Sequence, residues 1–393
     1  MISVAEQSER AIQSVKTSLI SCVKSLSANN SGKTGGHQAG ILVSKKAFSM
    51  LFEGEIPTSG ILKREVQISW PDGSVTTSCF TYYTSKRELR ITSFGRNFPF
   101  LKKSQTGSLF VFTMQDKEDY TGFFLDHEDE IDEFMEVIGI SSTETNDLIH
   151  CAFTPEEYEE SEIRSFATAL LQRVDDFPST VKMAESARLL WKQLNSGKSL
   201  IRKDPDKQLI GWTEEEFKLF RAVENEKYSS FLQNGFPSVD DFVTLANTVL
   251  NRRKSRAGKS LEHHLEALFD GNSLEYTSQA VTELNKKPDF IFPSEEKYHN
   301  FEFPAELLIS LAAKTTCKDR WRQIISEAAR IPVHHLCTLQ QGISEAQLKE
   351  MESENVVLVV PKQYISTYPP AWREKIWTLN KFIDFVREKE SIV

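Results

Sequence analysis

Cysteine is scarce in this chain. Cys22, Cys79, Cys151, Cys317 and Cys337 are the five present among 393 residues, widely scattered and never in a CxxC pair. Neither a structural zinc nor a disulfide framework is expected, and a reducing cytoplasm fits. Long hydrophobic runs are missing too: none approaches the roughly 18–20 apolar residues that cross a bilayer, so no membrane partner is expected. The opening Met1-Ile2-Ser3-Val4-Ala5-Glu6-Gln7 lacks the basic-then-apolar order of a secretion leader. Positive charge is not in excess either. A formal net charge of −9 argues against a protein that coats nucleic acid through bulk potential, although local patches still set phosphate contacts. Internal repeats and low-complexity tracts are absent.

What is present is ordinary for a globular protein, with 39% hydrophobic and 26% charged residues, at a length that favours two domains over one core. Charge is segregated. Arg252, Arg253, Lys254, Arg256 and Lys259 fall in one acid-free stretch, whereas Asp126–Glu136 and Glu156–Glu162 concentrate acids. Apolar spacing predicts an amphipathic helix over 5–26. Short strand-like runs follow at Gly40–Val43, Val66–Trp70, Val75–Tyr83, Leu89–Thr92 and Leu109–Thr113, separated by turn signals such as Pro71-Asp72-Gly73. The first domain therefore reads as compact and β-rich over 1–165. A connector over 166–180 leads to an α/β domain over 181–393, with helices at 181–195, 213–233, 238–254 and 260–269. A strand at Phe290–Phe292, a longer one at Glu306–Thr315, a helix at Asp319–Arg330, and strands at His334–Leu339 and Val356–Val360 follow.

Three residues of this second domain carry chemistry. Asp289 stands in Lys287-Pro288-Asp289-Phe290, Lys314 ends an apolar run 25 positions later (314 − 289), and Glu327 follows after 13 more (327 − 314). Two carboxylates and one lysine suffice to hydrolyse a phosphodiester with a divalent metal: hard oxygens hold Mg²⁺, and the lysine orients or helps deprotonate the attacking water. Asp289 at the start of one strand and Lys314 near the end of the next would converge on one sheet edge, with Glu327 pointing back from the following helix. Pro-Asp alone is also a common turn pair, and a strand-ending lysine is usually just solvated.

Together the pattern resembles the PD-(D/E)xK nucleases in the variant whose last acid sits on the helix after the lysine strand. The runs Asn251–Glu262, Asn285–Phe290 and Lys314–Gln323, with Ser27-Ala28-Asn29 and Thr34-Gly35-Gly36-His37-Gln38, resemble the EcoRII-like type II restriction endonucleases, of the IIE class. The resemblance implies an N-terminal B3-like DNA-binding pseudobarrel and a C-terminal restriction-endonuclease-like α/β domain with a mixed central sheet. It implies Asp289 and Glu327 as Mg²⁺ ligands, Lys314 as the water-positioning base and Glu262 as a further catalytic acid, with Glu266 one turn on as the alternative. Lys318, Asp319 and Arg320 would read base edges, since lysine and arginine donate to guanine O6 and N7 and a carboxylate accepts from cytosine N4. An N-cap aspartate with helix-start charges is the structural alternative. Arg256 would join them at the DNA. Trp212 would stack on an extruded base, or simply anchor its helix in the core.

For the first domain the resemblance implies two DNA-contacting arms. Lys33 and His37 lie in one; Lys86, Arg87, Glu88, Arg90 and Arg96 lie in the other, where basic side chains around one glutamate suit a major-groove reader that also grips phosphate. Gly32-Lys33-Thr34 is not a P-loop, because Ser27 stands where the motif needs glycine. His263-His264 and His334-His335 lack partners at metal-ligand spacing and read as helix-surface and strand residues, and Cys317 as small packing. The implied activity is a Mg²⁺-dependent double-strand cut at a CCWGG-like site, CCNGG or CCSGG remaining open. The implied partners are double-stranded DNA as target and as effector, and a second copy of the chain in a homodimer. A companion cytosine methyltransferase is expected functionally but not as a bound subunit. A repair nuclease without fixed sequence, and a B3-like regulator with a decayed nuclease half, are the competing classes. Lys318-Asp319-Arg320 argues against the first, and the intact Asp289, Lys314 and Glu327 against the second.

Overall fold

The computed structural model describes residues 4–28, 30, 40–52, 55–95, 98–99, 105–116, 118–149, 159–174, 176–195, 197–318 and 320–392. Lys33, His37, Arg96 and Asp319 lie outside the described residues.

The first domain opens with α1 (Val4–Thr17), which buries Ala11, Ile12 and Val15. The helix expected to reach residue 26 ends here, and Ile20–Ser25 is strand β1. Cys22 and Val23 explain why: one joins a core on one face of the sheet, the other a core on the opposite face, the alternation of a strand. The remaining elements are β2 (Gly40–Val43), α2 (Phe48–Leu51), β3 (Ile61–Ser69), β4 (Val75–Tyr83), β5 (Glu88–Thr92), β6 (Leu109–Met114), β7 (Tyr120–Leu125), α3 (Glu128–Ile138) and β8 (Leu148–Ile149). The strands form one sheet in the order β2-β5-β4-β3-β7-β6-β1-β8, parallel only between β3 and β7.

Ile41 on the edge strand β2 and Cys22 on β1 share a core with Phe80, Phe112 and Tyr120, so the sheet curls around that core. This is the expected β-rich, B3-like unit. Its other face packs Val111, Phe123 and Leu125 against α1 and α3. Covering both faces is why all six residues of β6 are buried. In α3, Ile131, Phe134 and Met135 face this second core. The helix is started by Glu130, which accepts from the backbone N–H groups of Asp126 and His127 at 3.1 Å each, and is stopped by Gly139 at φ 74°.

The second domain begins with four helices: α4 (Glu159–Leu171), α5 (Thr180–Leu194), α6 (Pro205–Asn234) and α7 (Val239–Gly271). The first part of the segment expected as a connector, 166–171, is therefore helical. Ala167 and Leu170 of α4 pack with Ala187, Leu190, Leu219 and Phe220, which ties this helix to the second domain. The two helices expected over 238–254 and 260–269 are one continuous α7. Five strands follow, β9 (Thr277–Ser278), β10 (Phe290–Phe292), β11 (Ile309–Lys314), β12 (His334–Thr338) and β13 (Val356–Val359), with α8 (Glu295–His299), α9 (Glu345–Ser353) and α10 (Leu379–Glu390) between and after them. The sheet order is β13-β12-β11-β10-β9. It is mixed, as expected: β9, β10 and β11 pair antiparallel, β11, β12 and β13 parallel. Phe290, Phe292, Leu311 and Ala313 face α7 and α10, while Ala312 and Leu336 face α9 and Trp321. Both faces are covered, so the strands read as continuous apolar runs.

Between the domains the two halves of the chain come into close contact. Gln340 Nε2 donates to Gly107 O at 3.0 Å, and Ala28 N donates to Thr367 O at 3.1 Å. A Cβ at Gly107, which stands at φ 90°, would lie 2.3 Å from Gly342 O. Only glycine permits that approach.

Candidate active site

Antiparallel pairing of β10 with β11 sets Phe290 opposite Leu311. Asp289, just before β10, therefore meets the far end of β11. Its Oδ2 accepts from Ala313 N at 2.8 Å and from Lys314 Nζ at 3.1 Å. The backbone bond fixes the carboxylate, and the lysine sits beside it half-exposed. Glu262 reaches the same place from α7, which packs on the face of the sheet that Ala313 lines. Its Oε2 accepts from Lys259 Nζ at 2.6 Å and from Gln279 Nε2 at 3.1 Å. The same Gln279 nitrogen lies 3.1 Å from Asp289 Oδ1.

Glu327 arrives differently from expectation. Among the described residues no α-helix covers 320–330; a 3₁₀ turn covers Arg320–Ser326 and Glu327 follows it. Two bonds hold this end in place: Thr282 Oγ1 donates to Glu327 O, and Lys286 Nζ donates to Ser326 O at 2.9 Å. Burial raises the Glu327 carboxyl above its ordinary value, the Asp289 charge adds to that, and Lys314 and Lys286 oppose it. Glu262 is raised by burial as well, with Lys259 opposing and Asp289 reinforcing. Hydrogen bonds thus join Asp289 to Lys314 directly and to Glu262 through Gln279, and the charges of Asp289 and Lys314 act on Glu327. Glu266 instead turns to His263, whose Nδ1 is 3.2 Å from its Oε2.

The donor set suits a hard dication that keeps several waters and takes one or two carboxylates. Among the described residues, no group of three His, Cys, Asp or Glu side chains is gathered closely enough to hold a cation alone. Asp289 and Glu327 would be its protein ligands.

The expected base readers are engaged otherwise in this structure. Lys318 is buried: its Nζ donates to Ser108 Oγ at 3.0 Å and to Asp126 O, both in the first domain. Arg320 donates from Nε to Glu128 Oε1 at 2.7 Å and from a terminal nitrogen to Asp132. Thr316 Oγ1, on the chain between Lys314 and Lys318, lies 2.8 Å from Asp132 Oδ1. The acidic side of α3 thus covers the strip that follows Lys314. The other end of α3 is held by two arginines. Arg253 Nη1 donates to Glu136 O at 2.9 Å and Arg221 donates to Gly139 O, which satisfies the last carbonyls and opposes the negative end of the helix dipole. A Cβ at Gly139 would stand 2.5 Å from Arg221 Nη1.

Between α3 and the Asp289–Lys314 edge lies a cavity of about 320 Å³, lined by Asp132, Glu136, Arg253, Arg256, Glu262 and Lys314 among others. This is the volume of a small-ligand pocket, far too small for a duplex whose major groove alone is about 12 Å wide.

Arg256 does not stand at an open surface. It is buried over the Phe217 and Phe220 rings and 3.6 Å from Glu216. Glu216 is in turn 2.9 Å from His264 Nε2. His264, expected on a helix surface, is fully buried, because α7 packs there against α6; burial depresses its basicity. Trp212 is 5% exposed and packs with Leu209, Leu261 and Leu265, near His264 and Arg188. In this arrangement the ring anchors α6 in the core. Cys317 is buried packing, its thiol pushed up to about 12 by burial. In the first domain, Lys86 and Arg87 are exposed at the β4–β5 turn, whereas Glu88 is paired to Arg90 at 2.8 Å.

Two features escaped the sequence. Gln279 carries no motif, and only its place opposite Asp289 identifies it. The acidic run in α3 was visible, but its partners lie about 190 positions away in the chain (320 − 128 = 192).

Comparison with known proteins finds matches over both halves of the chain. A family model described as the EcoRII C terminal matches residues 220–383, and one described as restriction endonuclease EcoRII, N-terminal, matches residues 15–149. The type II restriction enzyme EcoRII of Escherichia coli is 38% identical over 385 residues, covering 92% of each chain. The type II restriction enzyme SsoII of Shigella sonnei is 29% identical over 127 residues, 30% of this chain and 40% of its own. Among solved structures, metal-depleted Ecl18kI with uncleaved DNA aligns at TM-score 0.45 and 20% identity, over 59% of this chain and 85% of that one. A PspGI–substrate DNA complex aligns at TM-score 0.46 and 19% identity, over 57% and 96%.

Proposed function

This chain belongs to the EcoRII family of type II restriction endonucleases, and on that premise we propose that it makes Mg²⁺-dependent double-strand cuts at a CCWGG-like site. The observation that carries the reading is the contact of Lys314 Nζ with Asp289 Oδ2 at 3.1 Å, with the charges of both acting on Glu262 and Glu327. Asp289 and Glu327 would hold Mg²⁺, which when bound neutralises charge growing on the scissile phosphate. Lys314, fixed against Asp289, orients the attacking water and takes part in its deprotonation. Glu262 supplies a further carboxylate at the same edge.

The first domain would bind a second, effector copy of the site through Lys86, Arg87, Glu88 and Arg90, with Lys33, His37 and Arg96, and would restrain the nuclease until that copy is engaged. Support comes from α3, whose Glu128 and Asp132 occupy Arg320 and Thr316, while Ser108 and Asp126 occupy Lys318. Base-reading side chains bonded in this way are withheld from DNA. Release of α3 would return Lys318 and Arg320, with Asp319, to guanine and cytosine edges, and Arg221 and Arg253 to phosphates. Arg256 would then line the opened groove.

One active site per chain and two strands to cut imply a homodimer with two-fold symmetry. Cytoplasmic action beside a cytosine methyltransferase that marks the same site completes the reading. Digestion of a plasmid of known sequence with Mg²⁺, followed by sequencing of the ends, tests it. Discrete ends at one short CC…GG-type sequence are expected; uncut plasmid, or ends scattered without sequence preference, would refute it.

A further inference from the structure

One side chain at the site belongs to neither the carboxylate set nor the lysine. Gln279 Nε2 lies 3.1 Å from Glu262 Oε2 and 3.1 Å from Asp289 Oδ1, so a single neutral amide joins two carboxylates supplied by α7 and by the start of β10. The two acids otherwise repel, as the effect of Asp289 on Glu262 shows. The backbone is arranged to make the bridge. β9 pairs Ser278 with Phe290, which sets Gln279 opposite Asp289, and Gln279 N donates to Asp289 O at 3.0 Å. Gln279 itself sits in the left-handed region at φ 53°, where glycine is the comfortable residue. An L side chain held there against that preference, with its amide on both acids, marks a position where the side chain is wanted.

We propose that Gln279 is a positioning residue of the nuclease: its amide holds Glu262 and Asp289 side by side and so prepares the edge for the dication. This rests on the metal-dependent reading above. A carboxylate oxygen can accept from an amide and still bind a cation through its remaining lone pairs. The bridge is therefore an outer support of the kind whose loss typically weakens metal affinity about 10- to 100-fold. Two alternatives are opposed by the geometry. A purely structural glutamine would need only one of the two bonds, and a competitor for the cation would be expected to bond a single carboxylate and leave the other to the metal.

The test is Mn²⁺ binding to the full chain, followed by the electron paramagnetic resonance signal of unbound Mn²⁺, for wild type, Asp289→Asn and Gln279→Met. Methionine keeps the length and shape of glutamine and removes the donor. Wild type should bind, Asp289→Asn should lose that binding, and Gln279→Met should bind at least about tenfold more weakly with an unchanged unfolding temperature. Gln279→Glu, which adds charge without restoring the donor, should change affinity while keeping the fold, and so separates the bridge from packing. Equal or tighter binding by Gln279→Met overturns the role of Gln279 and leaves the nuclease reading intact. Failure of wild type to bind, or binding that survives Asp289→Asn, overturns the metal site itself. If Gln279→Met alone unfolds, the Gln279→Glu titration decides: affinity equal to wild type contradicts the proposal.

Discussion

Arg320 of the nuclease domain donates from Nε to Glu128 Oε1 of the first domain at 2.7 Å, and its backbone N–H donates to the other oxygen of the same carboxylate at 3.1 Å. One acidic side chain on α3 thus occupies both the guanidinium and the chain at the point expected to read DNA. Replacing Glu128 by Gln should weaken this clasp. The Arg320 side chain is 43% exposed, so solvent screens part of the gain, and about 1–2 kcal/mol, or roughly five- to thirtyfold, is the expected shift toward the open arrangement. Cleavage of a linear duplex carrying one site should accelerate accordingly. An unchanged rate with an intact fold would show that α3 does not restrain the enzyme.

Removing the first domain altogether should have a larger effect in the same direction. The cut belongs near residue 150, because Ala167 and Leu170 of α4 are part of the core that α5 and α6 share. A chain lacking 1–175 would expose that core and lose stability for reasons unrelated to restraint. The fragment beginning near 151 should cut isolated sites at least as fast as the full chain. An inactive but folded fragment would contradict the regulatory role.

Restraint should also depend on pH. Burial raises the carboxyls of Asp132, Glu136 and Glu144 in the closed arrangement, with Arg320, Lys254 and Arg221 among the charges opposing it. These groups hold protons more tightly closed than open, so closing takes protons up. Acid therefore favours closure, and the bias fades as pH rises past their closed-state values, above the ordinary carboxylate range of about 4–4.5. The rate of the fragment divided by that of the full chain should be greater near about pH 5.5 than near about pH 7.5. The ratio removes the acid limb that the raised Glu327 and Glu262 impose on both. A ratio that grows with pH would reverse the sign argued here.

Trp212 separates a core role from a base-stacking one. Buried among Leu209, Leu261 and Leu265, its replacement by Ala should reduce unfolding free energy by about 3–5 kcal/mol. Preference for the central base pair of the site should be unaltered in whatever fraction remains folded. A stable Trp212→Ala protein with altered central-pair preference would return the ring to the DNA.

Much of the second domain was legible because its strands are buried on both faces. Phe290–Phe292 and the run ending at Lys314 appear as unbroken apolar stretches, and the Asp289–Lys314 spacing follows from an antiparallel pair. The first helix was read too far because Ile20, Val23 and Leu26 continue a helical spacing by coincidence while alternating between two cores. The α3 helix was hidden under its charge: Ile131, Phe134 and Met135 give it an apolar stripe, but Glu128, Asp129, Glu130, Asp132 and Glu133 dominate its composition. Which cations those acids meet is a matter of domain packing, and no local pattern encodes it. The 3₁₀ turn before Glu327 likewise owes its shape to Thr282 and Lys286, which bind it from another loop.

The account depends most on Lys314 and Asp289 acting together on phosphate, and Lys314→Ala measures that most directly. A labelled duplex carrying the cut site found in the plasmid digest should be bound by the variant with affinity close to that of wild type, and with Mg²⁺ its cleavage should fall below detection. Cleavage that survives the substitution would contradict the assignment of Lys314 to the reaction, and simultaneous loss of binding and folding would show that the lysine supports the sheet edge instead.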